Sequence, residues 1–284
     1  MKMKRTQWGW NACLIGTVLG LVTGIRCAGA APQSFKVGVV PQYEVSELHE
    51  IWGALLTRLG QKLGADFQLV GSPSIPAFEQ ALASGTYDFA YLNPYDMVVA
   101  HRAAGYEPLL RDISNNLHGI LVVAKDSPIK SVTELNGKPV AFPAPNALGA
   151  SLLMRAELQD RFGVAVEPRY VKTHDSVYLN VVLGEVVAGG GVLRTLDRQS
   201  APIRDALRIL HTTNAVPSHP IAVHPRVARE WREKVVEALM AMAEGGEDRK
   251  LLKAVPMQEP GPVTYADYQA LEAMGLNRFY VSPK

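Results

Sequence analysis

The chain has 284 residues, 20% of them charged and 48% hydrophobic, a balance that excludes a disordered tail, a collagen-like repeat and a disulfide-stapled miniprotein. Its 29 basic and 27 acidic residues offer no broad basic face, so nucleic acid is not an expected partner. The length suits roughly two domains of about 150 residues, enough to bury a core without staples.

Lys2, Lys4 and Arg5 precede an apolar stretch from Ala12 to Ile25, and Ala28-Gly29-Ala30 follows as a small-x-small cleavage site. This is the three-part pattern of a secretory signal peptide over residues 1–30, cleaved after Ala30. The stretch is short for a membrane span of about 20 residues. Both cysteines, Cys13 and Cys27, fall inside this leader. An acylated Cys27 is the alternative, with Arg26 a poor neighbour for it. Cleavage after Ala30 leaves 254 residues without cysteine, which removes thiol nucleophiles, disulfides and Cys-ligated zinc. Loss of Lys2, Lys4, Arg5 and Arg26 leaves 25 basic against 27 acidic residues, so anion specificity has to come from a local site.

From Phe35 onward, strand and helix patterns alternate. Phe35 to Val40 reads as a strand ended by Pro41. Ser46 is a candidate cap for a helix carrying Leu48, Trp52, Leu55, Leu56, Leu59 and Leu63 at helical spacing, stopped by Gly64. A strand follows over Phe67 to Val70, then a short helix with Phe78, Ala81 and Leu82 ended by Gly85. Phe89 to Leu92 is a strand again, and Asn93-Pro94 opens a helix, where proline is tolerated. Strands are predicted at Leu121 to Ala124, Val140 to Phe142 and Arg169 to Val171, with another apolar strand ending at Val192 and Leu193. Helices fit Ala150 to Phe162 before Gly163, and Asp175 to Leu183 before Gly184. Two more follow around Val227 to Ala243 and Tyr265 to Met274. The grammar is that of βαβ units with mainly parallel sheets. Asp112 to Leu121 and Leu207 to Val216 are the candidate crossings between two lobes, one discontinuous (31–113 and 215–284) and one continuous (114–214).

Phosphate-loop, nucleophile-elbow and zinc-helix motifs are all missing, and Gly189-Gly190-Gly191 opens no dinucleotide-binding helix. No metal or other cofactor is expected, and binding is a more economical reading than catalysis. In open α/β proteins ligands favour the carboxyl ends of strands, and three junctions stand there. Asn93-Pro94-Tyr95 offers the Tyr95 hydroxyl. Pro143 to Ser151 offers a helix start whose free amides favour an anion, with Asn146 as its N-cap. Lys172 to Ser176 offers His174, with Asp175 as cap. Arg194, after the next strand, is a bidentate donor to an oxyanion, and Tyr43 is a weaker candidate after the first strand.

These pieces, in order, resemble the phosphate/phosphite/phosphonate-binding proteins of ABC transporters, a type II periplasmic binding-protein family. The carrying segments are Phe35 to Pro41, Asp88 to Tyr95, Lys125 to Ser131 leading to Leu135 to Lys138, Ala141 to Asn146, His174-Asp175, Leu196-Asp197 and Pro217 to Pro220. The resemblance implies two α/β lobes joined by two crossing strands and closing over an oxyanion. It further implies delivery to an ABC permease, or signalling to a membrane sensor kinase, by a monomer in the periplasm. It departs where family members that bind phosphonates carry hydroxyl residues, because here the matching positions are Ala147, Leu148 and Gly149, with Ser151 as a replacement. Where relatives carry carboxylates for an amine, this chain aligns Arg194 and His219. The expected ligand is therefore a small oxyanion without an ammonium group, held by Tyr43, Tyr95, Asn146, Ala147, Leu148, Ser151, His174, Arg194 and His219. An enzyme on this fold would rest on His174 with Asp175, adjacent residues that do not naturally orient each other.

Overall fold

The structure, a computed structural model, describes residues 1–3, 33–43 and 45–282. The leader reading, with Cys13, Cys27 and Ala30, lies outside them. Among the described residues no helix is long and apolar enough to cross a membrane.

The first half runs β1 (Ser34–Val39), α1 (Val45–Leu63), β2 (Asp66–Val70), α2 (Ile75–Ala83), β3 (Phe89–Tyr91), α3 (Pro94–Ala104) and β4 (Glu107–Asp112). A short β5 (Asn116–Leu117) leads to β6 (Gly119–Ala124) and β7 (Pro139–Phe142). A π-helical turn, Leu148–Leu153, runs into α4 (Met154–Phe162). Then follow β8 (Glu167–Tyr170), α5 (His174–Val182), β9 (Ala188–Val192), α6 (Leu193–Asp197), α7 (Ala201–Arg204) and β10 (Leu207–Thr212). The chain returns through β11 (Val216–Pro217), β12 (Pro220–Val223), α8 (Arg229–Met242), α9 (Gly246–Ala254), β13 (Pro260–Pro262) and α10 (Ala266–Gln269).

Two sheets carry the two lobes. One has the order β13-β4-β12-β3-β1-β2 and the other β10-β6-β9-β7-β8. Both are mixed, which corrects the expectation of mainly parallel sheets. The βαβ units give parallel β2-β1-β3 and β9-β7-β8. β6 and β12 enter their sheets from a crossing rather than over a helix, and each pairs antiparallel with both neighbours, β6 with β9 and β10, β12 with β3 and β4. The crossings themselves pair, Leu117 with Val216 and Asn116 with Pro217.

Alternation along the strands sets the cores. In β6, Leu121 and Val123 join Val140, Phe142 and Leu158 on one face, while Ile120 and Val122 meet Val177 and Tyr178 on the other. A strand buried on both faces reads as a continuous apolar run for this reason. In the first lobe, α1 buries Leu48, Trp52, Leu55, Leu56 and Leu59. The rings of Phe67, Phe89 and Trp231 lie 5.1–5.3 Å from that of Phe35.

Helix starts differ from expectation in detail. α1 already begins at Val45, one residue before the expected cap Ser46. Thr173, not Asp175, caps α5 by accepting from the Ser176 amide at 3.1 Å. Asn93 caps α3 as its sequence suggests, accepting from the Tyr95 and Asp96 amides.

Candidate functional site

The carboxyl ends of β1, β3, β7, β8 and β9 converge, and β12 begins beside the end of β3. Each contributes a loop to one cleft with two compartments. The inner one is a pocket of about 20 Å³ lined by residues including Gln42, Asn93, Ala147 to Ala150, His174 and His219. It opens past Gln42, Leu117, Val192 and His219 into an outer compartment of about 810 Å³ that holds Tyr43, His118, Arg194 and Arg198. One water needs roughly 10–15 Å³, so the inner pocket admits a single compact group and no tail.

The inner pocket's floor is the π-helical turn. Its first amides, those of Leu148, Gly149 and Ala150, precede any intrahelical acceptor, and the first bond back is from Ser151 N to Ala147 O at 2.7 Å. Among the described residues these three N–H groups have no protein acceptor. Orphan amides at a helix start favour an anion. The turn is held there by close backbone contact: a side chain at Gly119 would overlap the Gly149 carbonyl, and one at Gly190 the Ala150 carbonyl. The Gly189-Gly190-Gly191 run is thus a packing device, with Gly189 against Val177 and Val181 and Gly191 against Tyr178.

Two imidazoles complete the inner pocket. His174, the first residue of α5, is 2% exposed, and burial pulls its pKa down to about 4. Its Nδ1 lies 3.3 Å from Thr195 Oγ1, which leaves Nε2 for the pocket. His219 stacks on Tyr91 at 5.3 Å and meets Gln42 Nε2 at 3.3 Å. Burial, then the charge His174 would carry, brings its pKa to about 3. Both rings are neutral at pH 7 and act as hydrogen-bonding groups, not as fixed charges.

His174 is delivered by strain. Lys172 has φ +80°, the only positive φ on a non-glycine residue among those described. Its amide bonds Pro143 O at 2.9 Å, tying this turn to the anion loop. A left-handed L-residue costs about 1–2 kcal/mol. Lys172→Gly relieves that at some cost in unfolded-chain entropy, so a net gain of about 0.5–1 kcal/mol is expected in urea denaturation. A loss of stability would show that the turn is not strained.

Not all sequence candidates gather here. Ala147, Leu148, His174 and His219 line the inner pocket, while Tyr43, Arg194 and His219 line the outer compartment. Asn146 is not the helix cap and lines neither. Its side chain donates to Glu79 Oε2 at 2.8 Å and Val281 O at 2.7 Å and accepts from Val281 N at 2.9 Å, clamping the C-terminal segment. Ser151 is fully buried and accepts from Arg155 Nε at 3.1 Å. Tyr95 packs against Tyr280 at 5.5 Å, away from both compartments. Asp175 accepts from Gln199 Nε2 at 2.6 Å, so it does not orient His174. Gln42 and Arg198 went unread. Gln42 sits between two residues that were singled out, Pro41 and Tyr43, and Arg198 follows the Leu196-Asp197 segment, so position after a strand was the available signal.

Two arginines span the cleft from the second lobe. Arg194 Nη2 donates to the Ala254 carbonyl at 2.7 Å, at the end of α9, and Arg198 pairs with Glu47 of α1 while lying 4.7 Å from the Tyr43 ring centre.

Comparison with known proteins adds a family. The family described as "ABC transporter, phosphonate, periplasmic substrate-binding protein" matches residues 37–268. A binding-protein component of an ABC phosphonate transporter from Pseudomonas aeruginosa superposes with TM-score 0.79 at 15% identity over 86% of each chain. PhnD1 from Prochlorococcus marinus, solved with methylphosphonate, gives TM-score 0.79 at 14% identity, covering 87% of this chain and 99% of that one. The tetrathionate sensor histidine kinase TtrS of Salmonella typhimurium is 24% identical over 145 residues, 48% of this chain but 24% of the kinase. The match thus takes in about a quarter of that relative's length.

Proposed function

The chain belongs to the family of periplasmic substrate-binding proteins of phosphonate ABC transporters, and we propose that it captures a small oxyanion without an ammonium group in the inner pocket and hands it to an ABC permease. The carrying observation is the set of three unpartnered amides at Leu148, Gly149 and Ala150, facing neutral His174 and His219. Backbone N–H groups replace the missing hydroxyls as donors, and a neutral imidazole adds one more. The inner pocket's lining carries no carboxylate among the described residues, so an ammonium group there would be desolvated without a partner.

The family is one of solute-binding proteins, and catalysis forms no part of this reading. A monomer fits it. Lobes of 31–113 with 215–284, and of 114–214, would close about the paired crossings β5 and β11. Secretion would follow cleavage after Ala30, with acylation at Cys27 as the alternative. N-terminal sequencing of the secreted protein separates the two.

Isothermal titration of the secreted protein against inorganic phosphate, phosphite, methylphosphonate and 2-aminoethylphosphonate tests the ligand class. At least one amine-free anion is expected to bind about tenfold or more tighter than the aminoalkyl compound, or about 1.4 kcal/mol. Preference for the amine would overturn the reading. A second role is favoured by the match to a sensor kinase: signalling to a membrane kinase on the same fold. Deletion that abolishes uptake supports transport. Deletion that leaves uptake intact but abolishes a transcriptional response supports sensing.

A further inference from the structure

The outer compartment is far larger than a simple oxyanion needs, and its wall holds two donors without acceptors. Tyr43 Oη and Arg194 Nε are both buried, and neither makes a well-formed hydrogen bond among the described residues. Tyr43 is 7% exposed. Burial raises its phenol pKa, so the hydroxyl keeps its proton. A guanidinium Nε–H only donates, and a protonated phenol is best satisfied by donating. The two groups are neighbours: the Arg194 guanidinium reaches the Tyr43 hydroxyl as a donor and opposes that rise, which leaves the phenol proton free to donate outward. The phenol proton and the Arg194 Nε–H find no acceptor among the described residues, and an acceptor on a ligand would satisfy both.

The local charges sharpen the demand. Arg194 makes no ion pair among the described residues, and its known bonds are to the neutral carbonyls of Lys253 and Ala254. Arg198 lies over the Tyr43 ring and adds a second cation. The compartment's carboxylates do not answer it. Asp112 accepts from the amides of Ser114, Gln258 and Glu259 and from the Ser114 hydroxyl, so its oxygens are engaged. Asp197 is exposed, out in solvent. Glu47 is paired with Arg198. A half-buried guanidinium without a counter-charge is open to pairing with a ligand anion.

Resting on the oxyanion reading above, we propose that the physiological ligand is a small elongated dianion with an anionic group at each end. One head sits on the amides of Leu148 to Ala150 with His174 and His219. The other accepts from Tyr43 Oη and Arg194 Nε. A short linker passes between the compartments beside Gln42, Leu117 and Val192, which line both. Inorganic phosphate and methylphosphonate would then fill the inner pocket alone.

Titration calorimetry of the secreted protein tests this with propylphosphonate as the one-headed probe. The two-headed probes are 3-phosphonopropionate and α,ω-alkanediphosphonates of about two to five methylenes. The best two-headed probe is expected to bind about tenfold or more tighter than propylphosphonate. Tyr43→Phe, which removes one oxygen and keeps the ring under Arg198, is expected to cut that ratio to about threefold or less, and Arg194→Gln to abolish it. Should Arg194→Gln fail to fold by circular dichroism, Tyr43→Phe carries the test. Propylphosphonate bound as tightly as every two-headed probe would overturn the second head and leave the oxyanion site standing. So would a two-headed advantage that survives both substitutions. Failure of every phosphonate and phosphate to bind would overturn both readings together.

Discussion

Gly190→Ala is expected to destabilise the protein by at least about 3 kcal/mol, and to weaken anion binding in whatever fraction still folds. Gly190 lies in β9, between β6 and β7 in the five-stranded sheet. A single added carbon would overlap the Ala150 carbonyl oxygen and stand 2.6 Å from the Phe142 ring. The ring is fully buried, and the carbonyl belongs to the backbone of the π-helical turn. Relief therefore requires the turn itself to move, and the turn carries the three free amides. Gly184→Ala is the informative comparison. Gly184 has φ +74° but open space around it, so only left-handed strain is added, about 1–2 kcal/mol, with no effect on ligand affinity. Urea denaturation and calorimetry on both variants read the two quantities. Equal stability losses, or a Gly190→Ala protein with wild-type affinity, would show that the sheet does not set the turn's position.

The contrast between these glycines also explains what could be read from the sequence. Gly64, Gly163 and Gly184 stop helices in the left-handed region, and local grammar announces them. Gly189 to Gly191 follow no local rule, because their role depends on Phe142, Ala150, Val177 and Tyr178, residues brought close only by the fold. The alternation of strands and helices is legible for the same local reason, as is the helix start at Asn93-Pro94. Sheet direction is not, because pairing is a long-range property. Position at a strand's end singles out His174, Ala147 and Leu148, all of which line the inner pocket. It cannot reveal which way a side chain turns. Asn146 and Ser151 carry suitable atoms at suitable positions, yet the C-terminal segment and Arg155 engage them. Val281 lies 135 residues from Asn146, beyond the reach of a pattern, whereas Arg155 stands one turn after Ser151, a spacing the sequence does carry. The orphaned donors of Tyr43 and Arg194 are likewise visible only when every neighbour is placed.

Stability is expected to fall between pH 6.5 and 8, by about 1 kcal/mol from Glu79 alone, and Asp96→Asn is expected to reduce that fall. The cause is a buried acid pair behind the anion loop. Glu79 on α2 is 4% exposed and Asp96 on α3 is 2% exposed. Asn146 Nδ2 donates to one at 2.8 Å and Asn93 Nδ2 to the other at 2.6 Å, while Glu79 Oε1, Asp96 Oδ1 and the neighbouring Tyr280 Oη have no partner. Neither acid forms an ion pair among the described residues. Burial lifts Glu79 to about 7. Burial, then repulsion from Glu79, lifts Asp96 well above the carboxylate range. In the unfolded chain both are ionised above about pH 5.5. The native state therefore holds more protons through the window, and stability falls as pH rises, at about 1.4 kcal/mol per pH unit for each proton held. The two buried histidines act with the opposite sign, since their lowered pKa values make stability fall as pH drops. That contribution sets in below about pH 7.5, as unfolded histidine begins to protonate, but it is common to wild type and Asp96→Asn, so the difference between the two proteins isolates the acids. Asp96→Asn keeps an oxygen for Asn93 and removes both a titrating group and the repulsion on Glu79. Its stability should gain on wild type as pH rises from 6.5 to 8, read from urea denaturation at the two pH values. Parallel curves for the two proteins would mean that the acids are ionised at no cost, and that a cation or solvent reaches them. If the curves diverge as expected, Asn93 and Asn146, which grip these acids, tie the tethering of Val281 and the anion loop to the pair's protonation.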